Sequence, residues 1–463
     1  MVASGKRLRG LFIASSAIAS VALGNPSIDS RLGPKQYSSA AKVPSPVLLA
    51  QIPSLEPPAP VDPPPNSAPV PPAPAPIPPL RDPSLGRTGR PALASNAIPQ
   101  LTRSVFVGGL TAPRDLAFAP DGTLFYIERA AGLSLRRTNG SRLRLFAPAD
   151  LVADGFGGMF GLAVDPKFNA NRHVYVFMTS RLSGSRDHRI VRLTIDPAYL
   201  GIRERKDIVV GIGAELPPPQ KGPKREPHVG GRLRFGPDGF LYVSVGDLRD
   251  PAGPQARNAL TGKVLRVDRD GGAAPDGEID SNTDSRVFAL GFRQPTGLTF
   301  HPATDALFVA EDGAGHDEIT QIKQGDNGGW DPRCASAGNE AYCGEPTTDK
   351  LKSVVAMTDL GKHATAAQPH WTNFNRAQGM AGAEFLRGTH WKAWNGALAV
   401  AFASGKRLDV LRIDAKGNVL AHMPALIQLP VGIRAVVQGP DGSMYVATEG
   451  KPGGDEIWRV APR

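Results

Sequence analysis

The residues best suited to chemistry in this chain are a histidine and an aspartate at the two ends of one segment. His228 precedes Gly-Gly-Arg-Leu, and a turn and an alternating apolar stretch then lead to Gly246-Asp247. An imidazole can accept a proton near neutral pH, and a carboxylate can orient its ring and stabilise the imidazolium. The pattern therefore predicts a general base, His228, with Asp247 as its partner. The alternative is a histidine that only forms a hydrogen bond in a turn.

The start of the chain differs sharply from the rest of its 463 residues, which together carry a formal net charge of +10. Lys6, Arg7 and Arg9 precede an apolar run over 11–23 that is followed by small residues. This order is typical of a secretory signal peptide, and the run is short for a bilayer span. We therefore predict a signal peptide over residues 1–24, with an uncleaved anchor as the alternative.

The segment over residues 25–100 cannot form a core. Prolines occupy about half of the positions between Pro53 and Pro83, and proline removes amide donors and favours extended polyproline II. We predict a disordered, semi-rigid spacer here, or a docking site for a proline-binding partner. Residues 101–463 are then one large domain, secreted or periplasmic. The dispersed basic residues form no block with aromatic side chains, so nucleic acid is not an expected partner.

Cys334 and Cys343 are the two cysteines of the chain. Behind a signal peptide, two close cysteines predict a disulfide, because secreted proteins fold in an oxidising compartment. A zinc site would need further thiols or nearby histidines.

A turn of the Pro-Asp-Gly type, followed by an alternating strand, recurs through residues 101–463. The turn and the period-2 pattern after it indicate a β-hairpin. One gap between copies is about twice the others, which predicts a degenerate copy near Trp371–Val400 and so about six units. Repeated four-stranded units that close on themselves form a β-propeller. We therefore predict an all-β, six-bladed β-propeller. The turns contain Pro120, Pro166, Pro237, Pro302 and Pro440.

Seven short motifs occur in one order in this domain. They are His228-x-Gly-Gly-Arg-Leu, Gly246-Asp247, Gly262-Lys263-Val-Leu-Arg266, Gly291-Phe-Arg293-Gln-Pro295-x-Gly297-Leu298, Glu311-Asp-Gly313, Asp317-Glu318-Ile319 and Gly325-x-Asn327-x-Gly329-Trp330. Together they resemble the soluble quinoprotein sugar dehydrogenases, a family that includes periplasmic glucose and aldose dehydrogenases and sorbosone dehydrogenase relatives. The resemblance implies a six-bladed propeller that binds pyrroloquinoline quinone (PQQ) and calcium, and oxidises a sugar or related alcohol.

By this resemblance His228 is the catalytic base, Asp247 its partner, and Arg293 an arginine over the quinone oxygens. A fixed guanidinium would stabilise the negative charge that reduction places there. The alternative for Arg293 is a salt bridge between blades.

The resemblance also implies further contacts to the cofactor. Gln294 follows the arginine in the same motif. Lys406 and Arg434 match cations that bind the cofactor's carboxylates, or are solvated charges at strand ends. Trp371 is a candidate for stacking on the planar rings, with packing between blades as the alternative.

The acidic loop over 311–330 suits calcium, which prefers oxygen ligands. The resemblance implies that the carbonyls of Gly313 and Ala314 bind a calcium that also touches the cofactor. Asp317 and Glu318 would belong to a second, structural calcium. The alternative is an acidic surface turn.

The chain departs from the glucose enzymes of this family at several positions. A sugar-binding glutamine falls at Phe156, the acidic residue before the base falls at Pro227, and one of two arginines falls at Gly432. The Asn and Gln around their arginine-proline pair appear as Gln294 and Thr296. Because Phe and Pro side chains cannot bond sugar hydroxyls, we do not expect glucose itself as the substrate.

The sequence therefore predicts a quinoprotein dehydrogenase with a small sugar, alcohol or aldehyde as substrate. Its electrons would pass to an external acceptor, and the mature chain would have no stable membrane span. Two alternatives remain. A calcium-dependent lactonase can also use a six-bladed propeller, and a propeller without catalysis could bind a glycan or a protein.

Overall fold

The computed structural model describes residues 97–155, 157–213, 228–334, 342–343, 355–373, 376–450 and 452–463. The predicted signal peptide, the linker up to residue 96, and the positions of Phe156 and Pro227 lie outside the described residues.

Six four-stranded antiparallel sheets form the blades of a propeller. The first strand of each blade contacts the first strand of the next, and the last blade contacts the first, which closes the ring. The predicted all-β, six-bladed β-propeller is confirmed. Blade 1 contains β2 (Pro113–Phe118), β3 (Leu124–Glu128), β4 (Gly132–Arg136) and β5 (Arg142–Phe146). Blade 2 contains β6 (Met159–Val164), β7 (His173–Ser180), β8 (Asp187–Ile195) and β9 (Ile202–Val209). Blade 3 contains β10 (Gly230–Phe235), β11 (Leu241–Val245), β12 (Lys263–Val267) and β13 (Val287–Leu290).

The other three blades complete the circle, and the last of them is shared between the two ends of the domain. Blade 4 contains β14 (Pro295–Phe300), β15 (Leu307–Glu311), β16 (Glu318–Ile322) and β17 (Trp371–Thr372). Blade 5 contains β18 (Met380–Phe385), β19 (Leu398–Phe402), β20 (Arg407–Ile413) and β21 (Val419–Leu426). Blade 6 contains β22 (Gly432–Gln438), β23 (Met444–Glu449), β24 (Asp455–Pro462) and the N-terminal β1 (Leu101–Leu110).

Strand β1 joins the two ends of the domain. It pairs antiparallel with β24, from Leu101 opposite Pro462 to Leu110 opposite Asp455. Since the first strand completes the last sheet, blades 1 and 6 cannot separate without breaking this ladder.

The recurring turns connect the first and second strands of their blades. In blades 1, 3 and 6 the aspartate side chain accepts a hydrogen bond from the backbone amide two residues later, at 2.9–3.1 Å. The following glycine has positive φ, as at Gly122 (+85°), which is a conformation that glycine adopts without strain.

Blade 5 is the degenerate copy. Its first two strands are joined by a 3₁₀ segment, Thr389–Trp394, in place of the short turn. Trp391 of this segment is fully buried and donates its indole N–H to the carbonyl of Gly442, in the blade 6 turn. The range predicted for the degenerate copy, Trp371–Val400, begins too early, since Trp371 belongs to the outer strand of blade 4.

Among the described residues, six hydrophobic clusters each lie between two neighbouring blades, and a small seventh cluster surrounds Trp330. Burial on both faces explains why the middle strands are almost continuously apolar, as in β19. The described α-helix is a single turn, Phe168–Asn171. Among the described residues, no helix is long and apolar enough to cross a bilayer.

Charged groups rather than apolar ones occupy the axis of the ring. Asp115 of β2 forms ion pairs with Arg232 (2.5 Å) and Arg234 (3.1 Å) of β10, and we call these three residues the axial cluster. Arg232 also donates to backbone carbonyls of four other blades, and Arg234 and Asp115 bond the backbone of Leu162 in blade 2. Every innermost strand is therefore bonded to the axial cluster. The carbonyls that accept from Arg232 belong to Arg114, Thr296, Ala381 and Arg434.

We expect Arg232→Met to reduce the free energy of unfolding by about 3–5 kcal/mol, because it leaves a buried carboxylate and several carbonyls short of donors. Urea titration followed by tryptophan fluorescence measures this loss. The control is Arg459→Met, which removes a half-exposed ion pair with Asp441 and should cost about 1 kcal/mol or less. Equal losses in the two variants would contradict the role of the axial cluster.

Candidate active site

Antiparallel pairing brings His228 and Asp247 together. Gly230 of β10 lies opposite Val245 of β11, so the residues just beyond these strand ends meet. Nδ1 of His228 is 2.8 Å from Oδ1 of Asp247. The approach requires glycine at position 246, because a Cβ there would lie 1.8 Å from the carbonyl oxygen of His228.

Asp247 is fully buried and is surrounded by hydrogen-bond donors. Its Oδ2 accepts from the indole of Trp330 (2.8 Å) and the hydroxyl of Tyr342 (2.6 Å), and its Oδ1 accepts from the amide of Arg249 (2.9 Å). Burial acts to raise the pKa of Asp247, but His228 and the donors outweigh it and hold the pKa below its ordinary value. An ionised carboxylate only accepts, so Nδ1 of His228 carries the proton and Nε2 keeps the free lone pair.

His228 is neutral over the whole physiological range. Burial and the positive charge of Arg293 lower its pKa to about 4, while Asp247 opposes the shift. The imidazole is therefore present in the form that can accept a proton.

Arg293 connects the histidine and aspartate to the acidic loop. Its carbonyl accepts from the amide of Asp247 (2.8 Å), and its Nη1 donates to the carbonyl of Asp312 (2.8 Å). Its backbone amide is hydrogen-bonded to the carboxylate of Glu311. The side chain is buried, yet its Nε has no hydrogen-bond partner among the described residues. This N–H is a donor that a bound ligand could satisfy.

In the acidic loop, buried carboxylates lie close to one another, so their negative charges are not fully compensated. Burial and Glu318 raise the pKa of Glu311 to about 8, and burial and Asp317 raise the pKa of Asp312 to about 8. The buried carbonyls of Gly313 and Ala314 accept no hydrogen bond from any residue that the structure describes. Carboxylates and free carbonyls this close together suit a hard cation.

Asp317 and Glu318 are already bonded within the protein. Asp317 accepts from the amide of Asn373 (2.7 Å) and two backbone N–H groups, and Glu318 accepts from His316 (2.9 Å) and Thr358 (3.1 Å). The described part of the chain holds no group of three or more His, Cys, Asp or Glu arranged to bind a metal. The role of Asp317 and Glu318 as ligands of a second calcium stays a prediction.

A cavity opens at the axis beside the motif residues and is strongly cationic. Glu449 pairs with Arg114 (3.0 Å) and with Arg434. These two arginines reach the cavity from blades 1 and 6. The residues around it include Arg114, Arg129, Arg232, Gln294, Thr296 and Arg434.

The structure does not bring every predicted cofactor residue to this cavity. Lys406 is exposed in the turn between β19 and β20. Trp371 lies on the outermost strand of blade 4 and packs against Phe402 and His422, with ring centroids 6.3 and 5.5 Å apart. That position matches the alternative of packing between blades.

Sequence reasoning did not identify Tyr342, Arg114 and Arg129. Arg114 lies within β2 and Arg129 directly follows β3, and neither strand pattern gives a sign of the cavity. The signal for Tyr342 was its position next to Cys343. The predicted disulfide between Cys334 and Cys343 is confirmed.

Comparison with known proteins agrees with this fold and these motifs. The model of the glucose/sorbosone dehydrogenase family matches residues 110–459. Quinoprotein glucose dehydrogenase B of Acinetobacter calcoaceticus is 28% identical over 315 residues, covering 59% of this chain and 62% of that protein. Aldose sugar dehydrogenase YliI of Escherichia coli K12 is 27% identical over 363 residues, covering 76% of this chain and 90% of that protein. The crystal structure of a Thermus thermophilus oxidoreductase described as a glucose dehydrogenase has a TM-score of 0.62 at 29% identity, covering 78% of this chain and all of that one.

Fold and motifs together define a six-bladed propeller of the glucose/sorbosone dehydrogenase type. The chain belongs to the glucose/sorbosone dehydrogenase family.

Any reaction in which His228 accepts a proton should have a pH dependence that reports the titration of His228. When the pH is below the pKa of His228, about 4, the imidazole is protonated and cannot accept a proton. We therefore expect kcat/KM to fall as the pH decreases through that value. Asp247→Asn removes the charge that raises this pKa, and should shift the acid limb lower while reducing kcat by roughly 10²–10⁴-fold. An unchanged profile in this variant would contradict the pairing of His228 with Asp247.

Proposed function

We propose that this protein oxidises an aldose or a related alcohol or aldehyde, with PQQ as the hydride acceptor and His228 as the base. The observation that supports the proposal most is the contact between a neutral, buried His228 and an ionised Asp247, next to Arg293 with a free N–H. A proton acceptor and a donor for developing negative charge are then side by side.

In this proposal Nε2 of His228 takes the hydroxyl proton of the substrate. Asp247 holds the ring by its Nδ1–H and stabilises the imidazolium that forms. PQQ, when bound, would be the two-electron acceptor for the hydride that leaves the substrate carbon bearing this hydroxyl. Arg293 would donate its free Nε–H to an oxygen that gains negative charge in the reaction.

The cationic cavity suits a planar anion with several carboxylates. The carboxylate of Glu449 is shared by two guanidinium groups, those of Arg434 and Arg114. A side chain at Gly432 would meet the carbonyl of Ala403 at 2.4 Å. We therefore propose that Arg114 supplies the positive charge missing at Gly432, with Arg129 and Gln294 adding further donors from other blades.

Calcium is the cation that we propose for the acidic loop. The carbonyls of Gly313 and Ala314, with the carboxylates beside them, are oxygen donors of the kind that calcium prefers. When bound, calcium would act as a Lewis acid toward the cofactor.

The departures from the glucose enzymes concern the substrate rather than the chemistry. The hydroxyl of Thr296 donates its proton to the carbonyl of Met380 (2.7 Å), so it cannot also donate a hydrogen bond to a sugar hydroxyl. We propose a substrate with fewer hydroxyls to be recognised than glucose. With the signal peptide predicted from the sequence, oxidation would take place in the periplasm or outside the cell, and an external acceptor would remove the electrons.

The axial cluster argues against a lactonase that binds a metal in the channel. Arg232 and Arg234 place two positive charges on the axis where such a cation would lie. A propeller that only binds a glycan or a protein would not bind PQQ, and the following experiment distinguishes it.

Titration of the apoprotein with PQQ and calcium, followed by absorbance, should show saturable binding, and dye reduction across a panel of sugars and alcohols should then identify the substrate. His228→Ala should bind PQQ normally but lose activity by roughly 10²–10⁴-fold. The matched control is His422→Ala, which breaks a His–Asp contact (2.6 Å to Asp409) on the outer strands of blade 5 and should remain fully active. Absence of PQQ binding would refute the proposed function.

Calcium should stabilise the protein through the acidic loop. We expect EGTA to lower the melting temperature, since a ligand present at 100 times its Kd stabilises the folded state by about 2.7 kcal/mol. Asp312→Asn should reduce this response, because one carboxylate near the cation is lost. Differential scanning calorimetry with calcium, and with magnesium as the control, tests this. Equal responses of the variant and the parent protein would place calcium elsewhere.

A further inference from the structure

Tyr342 touches both members of the proposed catalytic pair. Its hydroxyl is 2.6 Å from Oδ2 of Asp247 and 3.2 Å from Nδ1 of His228. Burial and the charge of Asp247 raise the pKa of Tyr342 well above its ordinary value. The phenol therefore stays protonated and donates to the carboxylate.

A small structural unit holds Tyr342 in this position. Tyr342 forms a β-bridge with Arg333, and the amide of Cys343 donates to the carbonyl of Pro332 (2.7 Å). The disulfide to Cys334 adds a covalent link directly after the tyrosine. On its other side the unit packs against Trp330, Val355 and Met357.

We propose that Tyr342 is a positioning residue for His228 and Asp247, and that the Cys334–Cys343 disulfide maintains its position, so that reduction of the disulfide changes the basicity of His228. The inference rests on the proposed role of His228 as the base. Nothing in the motifs that identify the family includes this tyrosine.

The expected direction follows from how the charge of Asp247 is shared. Oδ2 is bonded to Tyr342 and Trp330, and Oδ1 to His228 and the amide of Arg249. Loss of the phenol concentrates negative charge toward His228, which favours the imidazolium and raises its pKa.

Other groups facing the imidazole act in known directions. Arg293 and Arg249 lower the pKa of His228, and Asp247 raises it. Neither Tyr342→Phe nor loss of the disulfide removes one of these three charges, so the direction of the shift is set by the hydrogen bond. The ring of His228 also loses a contact that fixes its orientation, and misplacement of a reacting group by about 1 Å can cost roughly 10²-fold in rate.

Reduction by dithiothreitol converts the disulfide into two thiols, and the reagent is oxidised to its cyclic disulfide. The covalent link between Cys334 and Cys343 is then lost, while Tyr342 itself is chemically unchanged. The chain therefore offers a chemical and a genetic way to release the same side chain.

The test measures the pKa of His228 in the apoprotein by NMR titration of [13Cε1]histidine-labelled protein, with its signal assigned by His228→Gln. We expect a higher pKa in Tyr342→Phe, in the double variant Cys334→Ser/Cys343→Ser, and in dithiothreitol-treated protein. The double variant should show no further change with dithiothreitol. Tyr199→Phe is the matched control, because it removes a tyrosine hydrogen bond to Asp121 (2.7 Å) elsewhere, and it should leave the pKa of His228 unchanged.

An unchanged pKa in Tyr342→Phe would overturn the positioning role. A shift in Tyr342→Phe without one in the double variant would overturn the role of the disulfide. If PQQ-dependent turnover is found, kcat should fall about tenfold or more in Tyr342→Phe while the Kd for PQQ stays within about twofold. Because the NMR measurement needs neither cofactor nor substrate, a protein without such turnover can still confirm or refute the contact itself.

Discussion

The ring depends on ion pairs at its axis. The innermost strands of six blades converge there, and their backbone groups need partners that apolar side chains cannot give. The planar guanidinium of Arg232 supplies several donors at fixed angles, and Asp115 compensates its charge. The same guanidinium lies at the wall of the cationic cavity. Closure of the ring and the shape of the candidate site therefore have one structural cause.

Burial acts in opposite ways on the groups of this site, and this decides which of them carries charge. It lowers the pKa of His228, while the donors around Asp247 hold that carboxylate ionised although burial opposes it. The result is a neutral base beside a fixed negative charge, obtained without an exposed histidine. Glu311 accepts two backbone N–H groups, but burial and the charge of Glu318 outweigh them, and burial and Asp317 act in the same way on Asp312, so both pKa values are raised to about 8. Charge is thus favoured on the carboxylate that donors surround, and disfavoured where buried carboxylates lie next to each other.

The sequence was informative where a local rule determined geometry. Pro-Asp-Gly turns predicted the hairpins, and the spacing of His228 and Asp247 predicted their contact because strand pairing is regular. Blade 5 was located only approximately, since its first turn is replaced by a 3₁₀ segment. The contact of Tyr342 depends on a long-range approach across the loop closed by the disulfide, which no period reveals. The role of Trp371 could not be decided from the sequence either, because a tryptophan side chain can pack between blades as well as stack on a ligand.

The neighbours Arg293 and Gln294 link two regions of opposite charge, and this indicates what kind of ligand the site suits. Arg293 donates to the carbonyl of Asp312 in the acidic loop, and Gln294 lies at the wall of the cavity with Arg114, Arg129 and Arg434. A neutral sugar alone would leave both excesses of charge uncompensated. A ligand with several carboxylates would compensate the positive charge of the cavity, and a cation would compensate the acidic loop. The charge pattern therefore fits the proposal of an anionic cofactor together with a cation.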